Sequence, residues 1–159
     1  MRLIVDPSAF NECFGELLRK HSQFSMAVAW ASTSFSGYHA LLRERTKLSR
    51  VVVGIHFYQT HPDFIQTFLT DPRVRFCINP TGVFHPKLYL FESNGNNWAC
   101  LLGSENFTTG GFGYNDESFV FVSTEDDPDG TVHSALVTAI EDYWQKGRQL
   151  TRFMHDPRE

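Results

Sequence analysis

His85 and Lys87 stand two residues apart at the head of an apolar run, in the stretch FHPKLYLF from Phe84 to Phe91. Side chains alternate across an extended strand, so both project from one face with Tyr89 and Phe91, while Leu88, Leu90 and Glu92 take the other. The next apolar run, WACLLG, ends in GSEN, and the same parity puts Ser104 and Asn106 on a common side just past Gly103. An imidazole, an ammonium, a hydroxyl and a carboxamide meeting at one sheet edge suit a phosphoryl group better than a carbonyl. Lys87 and Asn106 supply donors for the non-bridging oxygens. A neutral histidine can then attack phosphorus. A carboxylate on the opposite ring nitrogen would fix its tautomer, and Glu117, at the head of ESFVFV, is placed to return to the same end.

These groups need a scaffold, and the hydrophobic periodicity supplies one. Leu3 to Val5 reads as a short strand, and Asp6-Pro7-Ser8 offers caps to a helix carrying Phe10, Phe14, Leu17 and Leu18 at helical spacing. A strand over 25–31, a helix over 38–47 and the strand RVVVGI follow, the run Val51-Val52-Val53 implying burial on both faces. THPDFIQTFL starts a third helix with Thr60 as its N-cap and Pro62 in the first turn. After the strand RFCI, the runs KLYLF and WACLLG form a hairpin across the polar turn SNGNN. ESFVFV is the last strand, and a final helix carries Val132, Leu136, Ala139, Ile140 and Tyr143 on one side and stops near Gly147. This alternation predicts an α/β fold, a mixed β-sheet flanked by helices on both faces, formed by a single domain over 1–159.

With HPK, GSEN and FTTGGFGYNDE in that order, the chain resembles the phospholipase D superfamily, whose signature runs H-x-K-x4-D and then G-S-x-N. It is most similar to the short, single-motif nuclease branch, in which a Gly-containing loop and N-x-E follow; Asn115-Asp116-Glu117 matches that ending. The close resemblance covers Phe84 to Val122, about a quarter of the chain. It implies His85 as nucleophile or general acid, Lys87 and Asn106 as phosphate ligands, Ser104 as a supporting phosphate or hydrogen-bonding group, and Glu117 as the group that orients the histidine. No metal and no cofactor are implied. The family builds one active site from two motifs, so a chain with one motif should pair with a second copy as a homodimer. Glu92 replaces the signature aspartate and the gap to GSEN is longer; by parity Glu92 points away from His85 and is read as structural.

The activity expected is hydrolysis of DNA or RNA through a phosphohistidine. Phospholipid headgroup hydrolysis or transfer is the enzymatic alternative, and a non-catalytic nucleic-acid-binding or assembly module the other; a recognition domain or partner chain elsewhere would supply specificity. A net charge of -4 over 159 residues argues against coating of nucleic acid, so any contact must be local. The longest apolar stretches fall short of the roughly 20 residues that span a bilayer, and the start is too short for a signal-peptide core, which predicts a cytoplasmic protein. Cys13, Cys77 and Cys100 fit neither a disulfide framework nor a zinc ribbon and are expected to be buried thiols.

Several weaker features admit two readings. His56 sits where a central strand ends and is a candidate to line the cleft; His61 belongs with the start of a helix. Phe57, Tyr58, Phe112 and Tyr114 could stack on bases or pack an interface or core edge. Gly110 to Asn115 reads as a rim loop, without the lysine of a P-loop. Arg43, Arg45, Lys47 and Arg50 form either a phosphate track or a solvated helix face.

Overall fold

The computed structural model describes residues 1–94 and 96–150, so Gly95 of the expected SNGNN turn lies outside the described residues. The strands are β1 (Arg2–Ile4), β2 (Gln23–Val28), β3 (Leu48–Gly54), β4 (Val74–Cys77), β5 (Lys87–Ser93), β6 (Asn97–Gly103) and β7 (Phe119–Ser123). They form one sheet in the order β1-β7-β6-β5-β2-β3-β4. β2, β3 and β4 run parallel, whereas β5 is antiparallel to both β2 and β6, and β7 is antiparallel to β6 and β1. The carboxyl ends of β2, β3, β4 and β6 therefore share one sheet edge with the amino ends of β5 and β7. That edge carries the candidate residues.

Helices cover both faces, as the alternation predicts. α1 (Pro7–Lys20), α2 (Ser36–Arg43) and α3 (Pro62–Phe68) bury Phe10, Phe14, Leu41, Phe64 and Phe68 against Val51, Val53, Tyr89 and Phe91. α4 (Thr131–Lys146) places Ile140 on the other face, against Ala27, Val52, Leu88 and Leu90. The Val51-Val52-Val53 run is thus split between two cores, which is why it does not alternate with polar residues. Each fully buried Leu, Val or Phe side chain contributes about 2 kcal/mol of transfer free energy, so the double cover is what holds the edge residues rigidly.

Local chemistry sets the boundaries. Asp6 accepts from the Ser8 amide at 2.9 Å and Pro7 fills the first turn of α1. α2 ends at Arg43 rather than Lys47, with a tight 3-10 turn over Arg45–Lys47, because Lys47 Nζ is drawn to the free carbonyls of Leu18 (2.8 Å) and Arg19 (3.0 Å) at the end of α1. The cap of α3 is His61 and not Thr60: the Asp63 amide donates to His61 Nδ1 at 3.1 Å. The Thr60 hydroxyl instead donates to the Gly54 carbonyl at 2.6 Å and accepts from the Ala31 amide at 3.2 Å, tying the loop after β3 to the chain leaving β2. β2 stops at Val28 because residues 30–32 pair with 106–107: Phe107 N donates to Trp30 O at 3.2 Å and Ser32 N to Phe107 O at 2.9 Å.

Candidate active site

Register brings the pieces together. Leu88 pairs with Leu102, so the next step puts Lys87 across from Gly103, and Val28 faces Lys87 on the other side. The Ala29 amide donates to the Pro86 carbonyl at 3.0 Å, which carries the pairing one step past the sheet and leaves His85 at its mouth. Lys87 is 7% exposed, and its Nζ turns back to lie 2.7 Å from Nδ1 and 2.9 Å from Nε2 of His85 and 3.2 Å from the His85 carbonyl. The Trp30 ring meets His85 edge-on at 5.2 Å between centroids and lies 6.0 Å from Lys87 Nζ, forming the floor under both. Desolvation of the imidazole's inner side, and then the Lys87 charge, hold His85 below its ordinary 6.5. Burial also lowers Lys87, with the Glu117 charge opposing it. A histidine kept neutral beside an ammonium is the protonation state that a phosphorus nucleophile requires.

GSEN is shaped by a close crossing. A Cβ at Gly103 would lie 2.1 Å from the Ser118 carbonyl oxygen, so only glycine lets the chain leading into β7 pass there. Ser104 N donates to that carbonyl at 3.1 Å and the Ser118 amide donates to Ser104 Oγ at 3.1 Å. Ser104 Oγ in turn donates to the Glu117 carboxylate, which also accepts from Asn115 Nδ2 at 3.3 Å. Asn106 Oδ1 accepts from the Trp30 amide at 3.2 Å; because that backbone group can only donate, the carboxamide oxygen is fixed toward it and the nitrogen is left as a donor.

The five expected residues thus gather at one edge, with one change of role. Within the described residues Glu117 makes no hydrogen bond to His85: its carboxylate is held by Ser104 and Asn115 and reaches the pair through its charge on Lys87. Glu92 turns away as parity requires and binds His133 Nε2 of α4 at 2.9 Å.

Two residues at the site escape the sequence reading. Trp30 is recruited by a backbone bond to Asn106, for which the sequence carries no signal. Glu105 is 1% exposed, with Oε2 buried and unpartnered, and burial followed by the Glu117 charge pushes its carboxyl up to about 9. Its signal was available: between Ser104 and Asn106, parity turns position 105 inward.

The weaker features resolve one by one. His56 does not project freely into a cleft, because Nε2 accepts from the Asn79 amide at 2.9 Å and locks the loop before FHPK. Phe112 is a core residue, edge-on to Phe10 at 4.8 Å and to Phe14 at 5.1 Å, whereas Phe57, Tyr58 and Tyr114 are exposed. The basic run is not a phosphate track at the site: it lies at the opposite edge, where Arg45 pairs with Asp71 and Arg50 with Glu141. Cys13, Cys77 and Cys100 are buried and free, as expected.

No family model matches the chain, and no curated protein matches its sequence. Its three-dimensional form does match solved structures. NucT from Helicobacter pylori aligns over 94% of this chain and 98% of its own at a TM-score of 0.67 and 13% identity. Nuc from Salmonella typhimurium, a phospholipase D family member, aligns over 92% and 95% at 0.67 and 18% identity. Phosphatidylserine synthase of Haemophilus influenzae Rd KW20 aligns over 98% of this chain but 42% of its own, at 0.68 and 12% identity. The chain has the phospholipase D-like fold. Among the described residues no helix is long and apolar enough to cross a membrane.

Proposed function

We propose that the chain is a nuclease, a metal-independent phosphodiesterase that hydrolyses DNA or RNA through a phosphohistidine on His85. The observation that carries this reading is the apposition of Lys87 Nζ to both ring nitrogens of His85 at a sheet edge shared with Asn106 and Ser104. Among the described residues the Lys87 ammonium has only the neutral imidazole and the carbonyl of His85 to donate to, and an anionic phosphate oxygen between the two is a stronger acceptor. Lys87 and the Asn106 nitrogen then hold the non-bridging oxygens while the neutral imidazole attacks phosphorus. The new P–N bond forms as the P–O bond to the leaving strand breaks. The leaving oxygen needs a proton, and Lys87 is committed to the phosphate.

That requirement supports pairing of two copies about a two-fold axis, with the partner's His85, which takes up a proton from water when the phosphate's negative charge comes beside it, as general acid. The same imidazole, now neutral, takes a proton from water, whose oxygen attacks phosphorus, breaks the P–N bond and restores the enzyme. Ser104 and Asn115 keep the Glu117 carboxylate beside Lys87, where its charge favours the ammonium form needed for phosphate. Acid-quenched and base-quenched single turnovers on a phosphorus-labelled oligonucleotide test the covalent step. The expected product is a base-stable, acid-labile phosphoenzyme that His85→Ala does not form; a full burst of product with no labelled protein would overturn it.

A further inference from the structure

Along the same edge, two strands beyond His85, the backbone takes a costly form. Phe57 (φ 59°, ψ 17°) and Tyr58 (φ 56°) are consecutive left-handed residues, a conformation that non-glycine side chains seldom adopt even singly. The turn is clamped on both sides, by the Asn79 amide donating to His56 Nε2 at 2.9 Å and by the Thr60 hydroxyl donating to the Gly54 carbonyl at 2.6 Å. Yet the rings it presents are not used by the fold: Phe57 is 64% exposed and Tyr58 99% exposed. The chain holds two aromatic faces out to solvent in a strained, fixed turn.

On the next strand outward lies a cleft of about 620 Å³ whose lining includes Ile55, Phe76, Ile78, Asn79, Lys146 and Arg148. Arg148 is anchored there by paired backbone bonds with Phe76, each 2.8 Å. Lys146 and Arg148 are exposed, and among the described residues neither forms an ion pair with an acidic side chain. The order β5, β2, β3, β4 therefore sets out, along one edge, the His85–Lys87 pair, Trp30, the aromatic turn and the cationic cleft. Three strand spacings separate the first from the last, about 14 Å.

We infer that this edge is the path of an unpaired nucleic-acid strand: bases stack on Phe57 and Tyr58, and a phosphate beyond them lies at Lys146 and Arg148 while the scissile phosphate sits at His85. The inference rests on the nuclease reading and names its substrate as single-stranded. Exposed ring faces alternating with cations are the means by which proteins hold single strands, whereas the base faces of a duplex are already stacked on each other and closed to the rings. The placement also reconciles nucleic-acid contact with a net charge of -4, because the cations are local to the path.

The test uses fluorescein-labelled single-stranded dT and rU oligonucleotides and a duplex, titrated by anisotropy into the full chain with His85→Ala so that nothing is cut. Phe57→Ala/Tyr58→Ala should weaken single-strand binding at least about tenfold, and Lys146→Glu/Arg148→Glu should weaken it and flatten its salt dependence. The dT and rU arms decide whether the path favours DNA or RNA. Single-strand affinity unchanged within twofold in both double variants overturns the inference. So does loss of affinity accompanied by a change in oligomeric state on a sizing column, which would give the rings to a contact between copies. Hydrolysis of bis(p-nitrophenyl) phosphate, a diester without bases, by the unmutated chain reports the catalytic site separately. If it is hydrolysed while the variants bind normally, the path fails and the site stands; if it is not, while the rings govern binding, the path stands and the nuclease reading fails.

Discussion

Two clusters of positive groups sit at opposite edges of the same sheet, and they are built in opposite ways. At the amino ends of β3 and β4, Arg45 and Arg73 close on Asp71 at 3.0 and 2.8 Å, and Lys47 meets Glu44 at 2.8 Å. The Arg73 hydrogen bond, ahead of the other contacts, draws the Asp71 carboxyl down to about 2. At the carboxyl edge, Lys87 rests against His85, and among the described residues no carboxylate bonds to either. Every cation of the first cluster is tied to a carboxylate of the chain, and the cluster serves the fold. The second is left short of one anion, which is what a phosphate site needs before its substrate arrives.

The sharpest way to break this contrast is to remove one member from each cluster. His85→Ala should lower phosphodiester cleavage at least about a thousandfold with the thermal midpoint nearly unchanged, because the side chain packs only at the sheet mouth. Asp71→Ala should do the reverse: it strands two arginines and costs about 3 kcal/mol of stability by chemical denaturation, while the cleavage rate of the folded protein is kept. If Asp71→Ala destroyed activity in folded protein, or His85→Ala unfolded the chain, the division of labour would be wrong.

Glu105 sharpens the comparison with a smaller effect. Its folded-state carboxyl is raised to about 9 from an ordinary 4.5, so its contribution is fully present below pH 4.5 and is lost as pH rises toward 9. Glu105→Gln should therefore stabilise the protein near pH 8 and leave it unchanged near pH 4, measured as unfolding midpoints across that range. Asp71 gives the opposite slope: its contribution is present above pH 4 and lost as pH falls through about 2.

The smallest expected effect is a titration. Because the His85 imidazole is held below 6.5, its neutral form persists below that pH. Lys87→Met removes only the second of the two causes, so the histidine midpoint followed by NMR should rise part of the way toward 6.5 and stop short of it. No movement would mean that the lysine charge is not felt by the ring.

Much of this edge could be read in the sequence, because strand parity is a strong rule. It placed His85 with Lys87, turned Glu92 toward the other face and brought GSEN alongside. What could not be read depended on partners far along the chain. Arg45 looks like part of a free basic run until Asp71 comes beside it, and Arg50 until Glu141 does. Phe112 looks like a loop aromatic until the chain folds it against Phe10 and Gly37, where a Cβ would come within 2.6 Å of its ring. Thr60 looks like a helix cap until its hydroxyl finds Gly54. The Glu117 role changed because the hydroxyl of Ser104 and the carboxamide of Asn115 reach that carboxylate, a competition that spacing alone does not reveal.

Cleavage of labelled single- and double-stranded DNA and RNA in excess EDTA, by the unmutated chain and by His85→Ala, tests the central claim most directly. The account predicts EDTA-resistant cutting that disappears with His85→Ala. Cutting that survives the substitution, or that EDTA abolishes, would contradict it.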